Sequence, residues 1–203
     1  DFLGLKTLSQ MREICMLIKT RKDENFNINT IPIDDEKTMK LFQAGQTEDV
    51  FLFDSQGMQK YLRDLHPTCF EDLTILNCMY RPGPMEDLPM LIKRKKLKKG
   101  IKYIIPCMEK YLQNTYGIIV YQEQLMMLSR LIADFNRGES DLLRKALGRR
   151  KTDLLSVLRP KFIEGGMKNG HKKNALEKVW NEMEHKGMYA FNKSHAVCYT
   201  WLA

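Results

Sequence analysis

Apolar residues recur at helical spacing through this chain in short runs, and a proline or glycine closes most of them. From Gln122 the spacing puts Leu125, Leu128, Ile132 and Phe135 on one helical face. Met58, Leu62 and Leu65 form another face, on a helix that Ser55 starts and Pro67 ends. A further helix carries Leu73, Leu76, Asn77 and Met79 up to Arg81-Pro82-Gly83-Pro84, a turn that no helix crosses intact. The pattern specifies a mainly α, multi-helix domain with at most a few short strands.

The remaining elements follow from caps and stops. Thr7, with Gln10 three residues on, reads as the capping box of a first helix bearing Leu8, Met11, Cys15 and Ile18. The charged, Asn-rich stretch 22–29 reads as an exposed linker. Residues 34–44 read as a helix, 50–53 as a short buried strand or extended segment, and 116–121 as strand-like or buried. Gly138 divides the Gln122 helix from one that Ser140 caps, in which Leu142, Leu143, Ala146 and Leu147 face the core while Arg144 and Lys145 point elsewhere. Helices over 154–165 and 175–185 precede a turn at Gly187.

Length and charge narrow the function classes. The 203 residues suffice for one sizeable domain, and no apolar run reaches the roughly eighteen residues of a membrane span. Cys15, Cys69, Cys78, Cys107 and Cys198 are scattered without ligand spacing, which argues against a structural zinc or a disulfide scaffold and makes a reducing cytoplasm the default. The chain opens on Asp1 and an immediate apolar run, as a piece of a longer protein would.

Thirty-three Lys and Arg against 25 Asp and Glu give a net charge of +8. Seven cations lie between Leu91 and Lys102, Lys95 and Lys96 among them, with no acid between. That run fits a solvated face and a phosphate-backbone contact equally. The second cluster, Arg144, Lys145, Arg149, Arg150 and Lys151, straddles a helix end and is rich in guanidinium forks suited to phosphate oxygens. Residues 187–196, GMYAFNKSHA, mix two rings, an amide, a cation, a hydroxyl and an imidazole. At a helix start, Lys193, Ser194, His195 and the backbone amides suit a triphosphate. Tyr189 and Phe191 serve either core packing or base stacking.

DFLGLKTL from Asp1, FEDLTILNCMYRPGP from Phe70, YGIIVYQEQLM from Tyr116, LLRKALGRRK from Leu142 and FNKSHAVCYTWLA from Phe191, in this order, resemble the C-family replicative DNA polymerases, the bacterial DNA polymerase III alpha subunits. The resemblance runs from end to end. It implies that residues 1–8 end a palm, with Asp1 as the third of three catalytic, metal-binding aspartates around two Mg²⁺ ions. Residues 9–30 would be a connecting helix and linker, and 31–203 the fingers. It further implies nucleotide contacts at Arg144, Lys145, Tyr189, Asn192, Lys193, Ser194 and His195, with Arg81 shaping the pocket and touching phosphate secondarily. Arg149, Arg150, Lys151, Lys95 and Lys96 would meet DNA. Expected partners are primer-template DNA, dNTPs and other replicase subunits.

Two departures stand out. Lys145 occupies a place where many relatives have a second Arg, and Met188 and Ala190 stand where the family has glycines beside the Tyr. Any positive φ at 188 or 190 would therefore be disfavoured. One aspartate cannot build a two-metal centre, so the chain alone is expected to be inactive. The competing reading is a non-catalytic nucleic-acid-binding helical module; a helical scaffold with a solvated basic face leaves FNKSHA and YRPGP without a purpose.

Overall fold

A computed structural model describes residues 4–97 and 101–203; Asp1, Lys98 and Lys99 lie outside that set. Eleven α-helices and four short 3-10 turns make up the regular structure of the described residues, with one isolated parallel bridge, Tyr121 to Phe191. The domain is mainly α.

Two apolar cores organise it. The first is built by α2 (Glu36–Ala44), α3 (Gln56–Leu65), α4 (Phe70–Met79) and α5 (Leu88–Leu97) around Phe53, Leu62, Leu76, Leu88 and Leu91. Asp35 caps α2 through the Thr38 N–H at 2.7 Å, and Ser55 caps α3 as its sequence indicates. His66 ends α3 with φ +51, and Pro67 after it disfavours any continuation of the right-handed helix through that position. The second core packs α6 (Glu109–Leu112), α7 (Gln122–Ala133), α8 (Arg137–Gly148), α9 (Thr152–Lys168) and α10 (Lys173–Gly187) around Leu128, Ile132, Leu143, Phe162 and Trp180. Each such side chain contributes about 1.5–3 kcal/mol on burial. Close packing of α9 on α7 requires a glycine: a Cβ on Gly165 would stand 2.4 Å from the Ala133 carbonyl oxygen.

Several expectations are corrected. The first helix, α1 (Lys6–Arg21), starts at Leu5 without a side-chain cap, so Thr7 lies in its first turn, and none of its residues is buried. Residues 50–53 form a turn with Leu52 at φ +65, tied by the Thr47 hydroxyl to the Phe53 carbonyl; among the described residues no neighbouring strand supplies a ladder. The eighth helix begins before Gly138. Asn136 and Glu139 exchange side-chain and backbone hydrogen bonds at 2.9 Å, a reciprocal cap that extends α8 back to Arg137 and leaves Ser140 inside it. Leu142, one step of about 100° from buried Leu143, turns outward, while Leu143, Ala146 and Leu147 are buried.

The two cores meet along residues 116–121. Ile118, Val120 and Tyr121 pack into the first, Ile119 into the second, and α11 (Lys193–Leu202) buries Ala196 against the first. The functional candidates gather at this seam.

Candidate functional site

The bridge at the seam fixes the site. Phe191 donates its N–H to the Val120 carbonyl and accepts that of Gln122, both at 2.9 Å. Gln122 opens α7, where its N–H would otherwise lack an intrahelical acceptor. Consecutive residues on a helix are about 100° apart, so Gln122, Glu123 and Gln124 reach in three directions. Gln124 points inward: its oxygen accepts the Val120 and Tyr121 N–H groups, and its nitrogen donates to Tyr111 and Thr115. Gln122 reaches α8, and Glu123 reaches α11.

On α8, Arg144 donates from Nε and Nη2 to Asp141 Oδ1 at 2.9 and 2.7 Å, and from Nη1 to Gln122 Oε1 at 3.2 Å. Lys145 takes the other Asp141 oxygen at 2.7 Å. Lys145 and then Arg144 hold the Asp141 carboxyl below its ordinary range. Gln122 Nε2 donates in turn to the Ala190 carbonyl at 3.2 Å. Arg144 is thereby joined to residues 189–192.

Arg81 approaches those residues from the other side. Its Nε donates to the Cys78 carbonyl at 2.7 Å, its Nη2 donates to the Tyr189 carbonyl, and its guanidinium lies 4.7 Å from the Phe191 ring centre. Burial lowers its pKa from the ordinary value, and burial also pushes the neighbouring Cys78 thiol up to about 12. The turn that delivers Arg81 needs Gly83 at φ +95, where a Cβ would meet the Tyr189 ring at 2.6 Å. Met188 and Ala190 need no such freedom: Met188 has φ −62, and neither is among the positive-φ residues.

The start of α11 differs from the expectation of open amide donors. Asn192 Oδ1 caps the His195 N–H at 2.8 Å, and the Glu123 carboxylate accepts the Lys193 N–H at 3.0 and 3.2 Å. Glu123 also accepts from Asn192 Nδ2 at 3.1 Å. The Lys193 ammonium pairs with Glu71 at 3.0 Å and sits 5.0 Å from the Tyr121 ring centre. Carboxylates of this chain therefore stand where a phosphate was expected, for the electrostatic reason that recommended the place to phosphate. Ser194 is exposed. His195 stacks on Tyr199 at 4.2 Å and 26°, and its centre is 5.6 Å from that of Phe191.

Arg149, Arg150 and Lys151 are exposed together in the turn between α8 and α9, with Arg150 at φ +50. Lys96 is exposed, but Lys95 is turned inward, its side chain 10% exposed and its ammonium 2.6 Å from the buried Asp72. The Lys95 ammonium is thus engaged by a carboxylate of the fold itself. Asp1 lies outside the described residues. Among those residues no three acidic, Cys or His side chains form a metal-binding group. Gln122, Glu123, Glu71 and Asp141 were not marked by motif reading, although a polar Gln-Glu-Gln run opening a helix after Ile-Ile-Val-Tyr was the visible signal.

The family model of the bacterial DNA polymerase III alpha subunit finger domain matches residues 7–170. This chain belongs to that family. It is 42% identical over 205 residues to the DNA polymerase III subunit alpha of Aquifex aeolicus (strain VF5), 40% over 203 to that of Borreliella burgdorferi, and 39% over 203 to that of Halalkalibacterium halodurans. Each comparison covers 100% of this chain and 18% of the relative. This finger-domain chain spans less than a fifth of those proteins, and the family match takes in Arg81, Gln122, Arg144 and Lys145.

Proposed function

We propose that this chain binds the incoming deoxynucleoside triphosphate in a template-directed replicative DNA polymerase. The observation that carries the reading is one line of contacts: Arg144 to Gln122, Gln122 to Ala190 and Phe191, and Phe191 to His195, with Lys145 beside Arg144 and Arg81 against Phe191. A triphosphate needs several fixed cations, and Arg144 and Lys145 share one helix turn with their charged ends converging on a single carboxylate. In this reading the phosphates take over from Asp141, while Tyr189, Asn192, Ser194 and His195 border the nucleotide. Lys193 stays with Glu71 and contributes through its place at the α11 start.

The exposed Arg149, Arg150, Lys151 and Lys96 follow primer-template DNA, and Asp1 supplies one carboxylate of a two-Mg²⁺ centre whose other ligands lie outside this chain. Other replicase subunits complete a cytoplasmic enzyme. Among the described residues no helix is long and apolar enough to cross a membrane.

The test is Arg144→Ala in the full-length polymerase. The KM for dNTP should rise on the order of tenfold, the effect of losing one charge-assisted contact, with kcat changed much less. An unchanged dNTP dependence removes Arg144 and the reading with it. The isolated chain should extend no primer with Mg²⁺ and dNTPs; robust extension would overturn the division of labour.

A further inference from the structure

We infer that Gln122 is the positioning residue of this site: it fixes the Arg144 guanidinium to the 189–192 segment and keeps it aimed once a phosphate has displaced Asp141. The inference rests on the nucleotide reading above.

Arg144 has two anchors of different chemistry. Asp141 is an anion and competes with phosphate for the same N–H groups, holding Nε and Nη2. Gln122 holds Nη1 and is neutral. A polyanion entering the site removes the first anchor by charge competition and has no such reason to remove the second. An arginine side chain has many rotamers to recover, and a surviving neutral tether limits how much of that freedom returns when Asp141 lets go.

The amide orientation follows from its partners. Arg144 can only donate and the Ala190 carbonyl can only accept, so Oε1 faces the guanidinium and Nε2 faces the carbonyl. The backbone adds a third tie, since the Gln122 N–H donates to the Phe191 carbonyl at 2.9 Å. One residue therefore contacts α8, the carbonyl of 190 and the carbonyl of 191. Phe191 in turn contacts the Arg81 guanidinium and the His195 ring. Glutamate at 122 would repel phosphate, and an apolar residue would free both partners; a neutral amide alone bonds both without adding charge.

The experiment is a double-mutant cycle in the full-length polymerase with primer-template and dNTP. Gln122→Met, which keeps length and neutrality, should raise the KM for dNTP on the order of tenfold, with kcat within about threefold and unchanged thermal unfolding. In an Arg144→Ala background the same substitution should add less than about twofold, because the group it positions is gone. Gln122→Leu supplies a second neutral replacement and should behave alike if Gln122→Met lowers the unfolding temperature. Should Arg144→Ala leave KM unchanged, the nucleotide reading fails and takes this inference with it. Should Arg144→Ala raise KM while the Gln122 variants do not, or should the two effects multiply, Gln122 is a packing residue and this inference alone is overturned.

Discussion

Replacing Lys95 by Met tests whether the basic run of α5 meets solvent or the fold. Asp72 is 1% exposed and collects four donors: the Thr68 N–H at 2.8 Å, the Thr68 hydroxyl at 3.1 Å and the Lys95 ammonium at 2.6 Å on one oxygen, and the Tyr116 hydroxyl at 2.7 Å on the other. Methionine fills the volume of the lysine stem and removes only the ammonium. The carboxylate would keep three neutral donors, so the loss should fall below that of a wholly stranded buried charge, at about 2–3 kcal/mol. For a chain of this length that is a fall of about 5–10 °C in the midpoint of thermal unfolding followed by circular dichroism.

The pH dependence gives a second readout with a definite sign. Burial pushes the Asp72 pKa up, but the hydrogen bonds from Lys95, Thr68 and Tyr116 outweigh it, and the net shift is downward. A carboxyl lowered on folding adds stability that is present above its unfolded pKa of about 3.9 and is lost as pH falls through the folded value. Without Lys95 the burial effect gains and the folded pKa rises, so the deficit of Lys95→Met should shrink as pH drops from 7 towards 4. A variant melting within about 2 °C of the parent chain at pH 7, and losing DNA affinity instead, would refute the assignment and restore Lys95 as a phosphate contact.

Asn136→Ala removes one half of the reciprocal cap on α8 and should cost about 1 kcal/mol in chemical denaturation, with Ser140→Ala costing less because Ser140 does not cap. Gly83→Ala forces a Cβ towards the Tyr189 ring at a positive φ; it should impair both stability and the dNTP dependence of the full-length enzyme, measured by unfolding and steady-state kinetics. A thiol reagent at pH 8 should modify exposed Cys198 in the native chain while leaving buried Cys78, its pKa near 12, unmodified until denaturant is added, as peptide mass mapping would report.

Helices whose apolar spacing coincides with a local stop were legible from sequence. Ser55, Met58, Leu62, Leu65 and Pro67 define α3 within thirteen residues, and α7 carries Leu125, Leu128 and Ile132 on one face, although it ends at Ala133 with Asp134 at φ +54, so Phe135 lies beyond the helix on which its spacing puts it. Errors arose where a decision depended on distant partners. Residues 50–53 have strand-like composition, but a strand exists only through its neighbour, and among the described residues none lies beside them. Gly138 looked like a break because glycine is a poor helix former, whereas a first-turn glycine is tolerated once Asn136 and Glu139 close the cap around it. Lys95 looked like its neighbours until packing brought Asp72, 23 residues away, beneath it. The contact of Glu123 with the α11 start spans 70 residues, beyond any local pattern.

That last contact bears on how such a site discriminates. Arg144 and Lys145 rest on Asp141, Lys193 on Glu71, and the first amide of α11 on Glu123, so these positive groups are already paired with carboxylates of the same chain, whereas Arg81 is held by the Cys78 and Tyr189 carbonyls. A neutral ligand, or one with a single weak charge, gains little by displacing a carboxylate held at 2.7 Å. A triphosphate brings several negative charges to the same donors and is the kind of ligand for which the exchange is favourable. Internal pairing of this sort weakens binding of every anion but weakens it most for those of low charge. On the nucleotide reading, Asp141→Asn should therefore tighten inorganic phosphate relative to dNTP in competition kinetics, and a uniform change for both would show that Asp141 merely supports α8.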